Sequence, residues 1–149
     1  MVLRNLGRYA EAAAAHKDAV AILERFESVR ELADAYMHVS WNLESAEIYD
    51  QALLYAENAQ RAATESEAAS TLGMAHWQIA DLLPKLNRED EVFEHLSMCR
   101  QAWRQAENIN GVLDVDDRMA DRFISDGDYK AAVGLLSDCL DVASSLKDQ

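Results

Sequence analysis

One proline and five glycines punctuate these 149 residues. So few breakers suit helices joined by short turns. Cations are scarce too. The chain has 14 Lys and Arg against 27 Asp and Glu, a formal net charge of −13. Such a surface repels phosphates and anionic lipids. That speaks against nucleic acid or a membrane as direct ligand and for a neutral or cationic partner. No apolar stretch reads as a signal peptide or a membrane span. Only two cysteines occur, Cys99 and Cys139, one repeat apart in a column otherwise filled by alanine. They read as two buried small residues, since equivalent positions of successive units lie beyond disulfide reach. Free thiols suit a reducing, cytoplasmic setting.

Signatures of chemistry are missing as well. His16, His38, His76 and His95 form no His-x-x-x-His pair. Asp114-x-Asp116-Asp117 lacks the turn glycine and distal Glu of a calcium loop and reads as a solvated acidic face. There is no phosphate loop, nucleophile elbow or cysteine-rich metal motif. The Glu44/Asp81 carboxylate pair is one of many in so acidic a chain. The sequence therefore predicts no enzyme, no cofactor and no metal site.

What the chain does have is a repeat of 40 residues. Units open at Gly7-Arg8-Tyr9, Glu47-Ile48-Tyr49, Asn87-Arg88-Glu89 and Gly127-Asp128-Tyr129. Ala12, Ala52, Val92 and Ala132 share one column, and Ala19, Ala59, Cys99 and Cys139 another. Leu3, Leu43, Leu83 and Phe123 precede each boundary. A fixed period of this length marks stacked supersecondary units, each too small to bury its own apolar face. Half the residues are hydrophobic, many of them alanine, which favours closely approaching helices.

The apolar periodicity predicts about seven helices, the first complete one at Arg8–Arg25, preceded by the last turn of a further helix at Met1–Leu6. Further helices follow over Val29–Glu44, Ile48–Ala63, Glu67–Leu83, Arg88–Glu107, Gly111–Ser125 and Asp128–Leu146. Ser28–Glu31 and Thr64–Glu67 read as capping boxes, and Asn108 and Asn110 as caps. Gly7, Asn87 and Gly127 stand where a helix ends in a left-handed residue, whereas Glu47 fits that role poorly. Pro84 predicts a helix end or kink near Leu83. Ala12, Ala52 and Ala132 are expected where helices cross closely, so Ala52→Leu would cost about 1–3 kcal/mol through overpacking.

Gly-Arg-Tyr-Ala-Glu-Ala at 7–12 and Gly-Asp-Tyr-Lys-Ala-Ala at 127–132 resemble the start of the second helix in tetratricopeptide repeats. The large residues Val39 and Leu43, Ile79 and Leu83, and Met119 and Phe123 agree, as do small Ser40, Ala80 and Ala120. Glu89 and Val92 depart from the pattern, and the period exceeds the family's usual length. It is similar to the longer units of kinesin light chains and of bacterial repeat-containing regulators. The resemblance implies an all-α, right-handed superhelical solenoid of antiparallel helix pairs. It covers a single domain over 1–149, with units 1–26 (partial), 27–66, 67–107 and 108–149. An array that begins mid-hairpin reads as part of a longer protein, or as a chain whose open end self-associates.

The resemblance further implies a concave groove lined by the first helix of each unit. Its predicted partner-binding residues are Met37, His38 and Trp41, then Met74, Trp77, Gln78 and Asp81, then Asp114, Asp117, Arg118 and Asp121. Met37, Trp41, Met74 and Trp77 would form an apolar patch beside acid, the composition of an interaction hot spot. Trp103, on a second-type helix, reads as packing or convex surface. The groove lacks the Lys and Asn pairs with which some family members clamp a terminal carboxylate. A neutral to basic peptide or protein is the expected ligand. The expected function is a binding scaffold or adaptor. The alternatives are a sensor or partner-docking part of a larger bacterial transcriptional regulator, and a self-associating structural unit.

Overall fold

The computed structural model describes residues 2–25 and 28–147. The described residues are helical, with no strand among them. Seven α-helices follow in order: α1 (Val2–Arg25), α2 (Val29–Ser45), α3 (Tyr49–Glu65), α4 (Ala69–Leu82), α5 (Val92–Gln105), α6 (Ile109–Ser125) and α7 (Tyr129–Lys147). Two 3-10 segments, Leu83–Leu86 and Glu89–Glu91, lie between α4 and α5. Each helix packs on the next, and α2 also touches α4.

The joints explain this order. Glu47, Glu67, Asn87, Glu107 and Gly127 all have left-handed backbone, with φ of 61, 55, 58, 57 and 79°. They stand twenty residues apart. After each, one amide reaches back five residues to close the helix end: Ile48 to the Leu43 carbonyl at 2.9 Å, Ala68 to Ala63 at 2.9 Å, Arg88 to Leu83 at 2.9 Å, Asn108 to Trp103 at 2.9 Å and Asp128 to Phe123 at 2.8 Å. This is the Schellman arrangement, which satisfies carbonyls that a helix end leaves unpaired. Four of these residues also begin the next helix. The carbonyls of Ile48, Ala68, Asn108 and Asp128 accept from the amides of Ala52, Leu72, Val112 and Ala132. The 40-residue period of the sequence thus resolves into a 20-residue unit of one helix and one turn.

Four local expectations need correction. α1 runs unbroken through Gly7, so no turn forms there, and a β-carbon at Gly7 would meet nothing within 4 Å. An interior glycine costs about 1 kcal/mol relative to alanine, less than breaking the hydrogen bonds on both sides of it. The box at Thr64–Glu67 does not cap a start, because α3 continues to Glu65 and Glu67 is the left-handed residue. Ser28 does precede α2, but its side chain makes no capping bond. Glu47 does take the left-handed role. Asn108 caps as expected, its side chain accepting from the Gly111 amide at 3.1 Å. Pro84 ends α4 at Leu82 and opens the 3-10 turn.

One apolar core runs through the array from Ala13 and Val20 on α1, past Val39, Leu53, Ile79 and Leu96, to Val115 and Met119 on α6. Alanine supplies much of this core. Ala52, Ala56, Ala59 and Ala63 of α3 are fully buried, as is Ala33 of α2. Ala132 is buried too, whereas Ala12 is only half-buried. Among the described residues no helix is long and apolar enough to cross a membrane.

Candidate functional site

The even-numbered helices α2, α4 and α6 are tied in a row by polar links. Thr71 Oγ1 donates to Asp34 at 2.8 Å. Gln78 donates to Glu44 at 2.6 Å and to the Ser40 hydroxyl at 3.4 Å, and Ser40 in turn donates to the Ala52 carbonyl at 2.7 Å. Lys85 pairs with Glu44 at 2.9 Å and lies 4.9 Å from the Tyr49 ring centre. Arg118 pairs with Asp81 at 2.8 Å, donates to the Ala80 carbonyl at 3.3 Å, and sits 4.9 Å over Trp77. In each link between two even helices the earlier helix supplies the acceptor, and the donor comes from the next even helix or the 3-10 turn behind it. Burial holds the Asp81 carboxyl above its usual range, against the pull of Arg118. The Glu44 carboxylate holds the Lys85 ammonium up.

This row sorts the expected groove residues. Met37 is 1% exposed and Gln78 3%, so neither faces a partner. Met37 packs with Ala59 and Ala75, and Gln78 spends its donors on α2. Met74 and Trp77 are half-buried against the core. Trp77 lies 5.6 Å from Trp103 and under Arg118. The four-residue apolar patch is therefore mostly interior. Trp41 is exposed, with the His38 ring edge-on at 5.2 Å. Asp114, Asp117 and Asp121 are exposed, while Asp81 and Arg118 are half-buried in their ion pair.

Three polar clusters escaped the sequence. Asp116, expected on a solvated face, is fully buried and held by Arg100 at 2.5 Å, and the Cys139 thiol donates to it at 3.3 Å. Burial, with the Asp116 carboxylate, pushes the Cys139 thiol up to about 11. Burial pushes Cys99 up to about 12. Both cysteines are free, Cys99 buried and Cys139 only half-buried. Neither is a thiolate nucleophile at neutral pH.

The histidines, scattered in sequence, meet in pairs. His16 and His38 have ring centres 5.6 Å apart, and Asn42 bonds the His16 ring at 2.8 Å. His76 and His95 bring their Nδ1 atoms to 3.0 Å, so one donates to the other. Burial, then the neighbouring imidazole, lowers His76 to about 4. Burial also lowers His95, although Glu94, Glu91 and Glu57 pull it up. Among the described residues no three His, Cys, Asp or Glu side chains gather in a metal-binding group.

Against this geometry, comparison with known proteins is silent: no family model matches the chain, and no characterised protein matches it significantly.

Proposed function

We propose that the chain is a tetratricopeptide-like solenoid that binds a neutral to basic protein or peptide along the face of α2, α4 and α6. The observation that carries this reading is the row of polar links between those helices. It fixes three helices side by side without consuming the exposed Trp41, His38, Asp114, Asp117 and Asp121. A preformed surface with an exposed aromatic anchor and acid nearby suits recognition at low ordering cost. The acidity directs the choice towards cationic ligands in a cytoplasmic setting.

The test is affinity capture from native extract followed by mass spectrometry, comparing the natural chain with Trp41→Ala. The variant is expected to lose its specific partner while keeping its helical circular dichroism. Equal capture by both chains would overturn the reading. Trp77 is unsuited to this test, because its contacts with Trp103 and Arg118 are internal.

A further inference from the structure

The two columns that hold His76 and His95 occur earlier in the array as well. Forty residues before, they hold Tyr36 of α2 and Tyr55 of α3, whose ring centres lie 6.0 Å apart. That contact is aromatic packing and needs no ring nitrogen. In α4 and α5 both places are histidine. The rings keep a similar separation, 5.3 Å, but now set Nδ1 against Nδ1 at 3.0 Å. His76 is 3% exposed and His95 half-buried. One of the facing nitrogens donates and the other accepts. If the shared proton moves to Nε2 of its own ring, both nitrogens turn a lone pair towards the same point. Metal–nitrogen bonds run to about 2.0 Å, so nitrogens 3.0 Å apart subtend about 97° at an ion held by both. A ring shift of about half an ångström opens this angle to about 120°.

The third ligand decides which ion fits. Among the described residues no three His, Cys, Asp or Glu side chains gather, so neither carboxylate nor thiolate completes the set. Met98 is the donor at hand. It stands three residues after His95 on α5, a spacing that puts both on one face. Together with His76 it lines a cavity of about 310 Å³ between α3, α4 and α5. Gln60, Thr64, Gln101 and Gln105 supply the rest of the polar wall, and no Asp, Glu, Lys or Arg lines it. In the preceding unit the Met98 column holds Asn58. All three positions thus change together, from Tyr36, Tyr55 and Asn58 to His76, His95 and Met98. A thioether beside two imidazoles, in an uncharged pocket, is a soft donor set. It suits Cu(I), which brings a single charge, and serves Zn(II) poorly.

We propose that His76, His95 and Met98 form a binding site for one Cu(I) ion, with the two Nδ1 atoms and the Met98 thioether as its ligands. The proton displaced from between the rings passes to Nε2 of the ring that held it. None of the residues named for the Trp41 face takes part, so each site can fail alone.

The test is anaerobic titration of the natural chain with Cu(I) in competition with the chelator bicinchoninate. One ion per chain is expected to resist the chelator. His76→Tyr with His95→Tyr restores the pair of the preceding unit. It is expected to abolish binding while helical circular dichroism is kept. Met98→Leu conserves volume and is expected to weaken binding at least about tenfold, the amount that an outer partner of a metal ligand is worth. Cys99→Ala with Cys139→Ala takes the alanine of the same column at Ala19 and Ala59 and is expected to leave binding unchanged. X-ray absorption at the copper edge is expected to show both nitrogen and sulphur bound to the ion. Complete loss of copper to the chelator would overturn the inference. So would full binding by Met98→Leu or by the tyrosine pair, or loss of binding in the cysteine variant. Should the tyrosine pair unfold, the absorption spectrum still decides, since copper bound by nitrogen alone removes Met98 from the site.

Discussion

The Trp103 indole occupies the space that a side chain at Gly73 would need. A β-carbon there would fall 2.1 Å from Trp103 Cδ1. The same ring blocks Gly111, whose β-carbon would fall 2.6 Å from Trp103 Cε3. Trp103 of α5 therefore lies between a glycine of α4 and one of α6. Its Nε1 donates to the Ser70 carbonyl at 3.3 Å, and it is 8% exposed. Gly73→Ala is expected to destabilise the fold by about 1–3 kcal/mol, since the ring cannot yield without moving two helices. Trp103→Ala leaves a cavity and is expected to cost more, about 3–5 kcal/mol. Urea denaturation of the two variants checks both values. The double variant is expected to cost less than the sum, because the clash at residue 73 disappears with the ring.

The left-handed joints offer the opposite kind of change. Glu47, Glu67 and Glu107 hold a conformation that costs an ordinary side chain about 1 kcal/mol or more and costs glycine nothing. All three side chains are exposed. Glu67→Gly and Glu107→Gly are each expected to raise stability by several tenths to about 1 kcal/mol, less the entropy that glycine adds to the unfolded chain. Thermal melts would show an upward shift for each. The reverse change at Gly127, to Ala, is expected to lower the melting temperature.

Acid is expected to loosen the α4–α5 contact. Folded His76 takes up its proton near pH 4, the unfolded residue near 6.5. Between those values the unfolded chain binds more protons, so stability falls as the pH drops through this window and is fully present above it. The groups facing the pair are His95 itself, Glu91, Glu94 and Arg88 on the α5 side, and Glu57 on α3. His76→Leu is expected to remove on the order of 2–3 kcal/mol of the stability difference between pH 7 and pH 4. Urea midpoints across that range would read it as a shallower slope. An unchanged slope would assign the acid sensitivity to the carboxylates.

Much of the helix order is readable from the residues. Pro84, Asn108 and Gly127 mark local backbone needs, and each does so where the structure places a boundary. Gly7 shows the limit of the same rule, because a glycine permits a turn without requiring one. Glu47, Glu67 and Glu107 fail it from the other side. There, paired carbonyls outweigh the side chain's preference, and no residue type advertises the turn. The 20-residue unit stayed hidden because odd and even helices share joints but not side-chain columns. Met37, Gln78 and Asp116 were misplaced for a different reason. Core and surface stripes on one helix are adjacent, and burial of a polar group depends on a partner far away in sequence. Gln78 finds Glu44, 34 residues earlier, and Asp116 finds Cys139, 23 residues later. His76 and His95 meet in the same way, across a turn rather than along a helix.

The shared residues at the joints carry a consequence for how such a chain tolerates change. Ile48, Ala68, Asn108 and Asp128 each finish one helix and start another, so no connecting residue is left over to absorb slack. Substitutions alter one contact. A one-residue insertion or deletion inside a helix would instead rotate everything after it by about 100° relative to everything before. Length is thus the property this architecture holds most tightly, and whole helix-and-turn units are the natural currency for lengthening or shortening it.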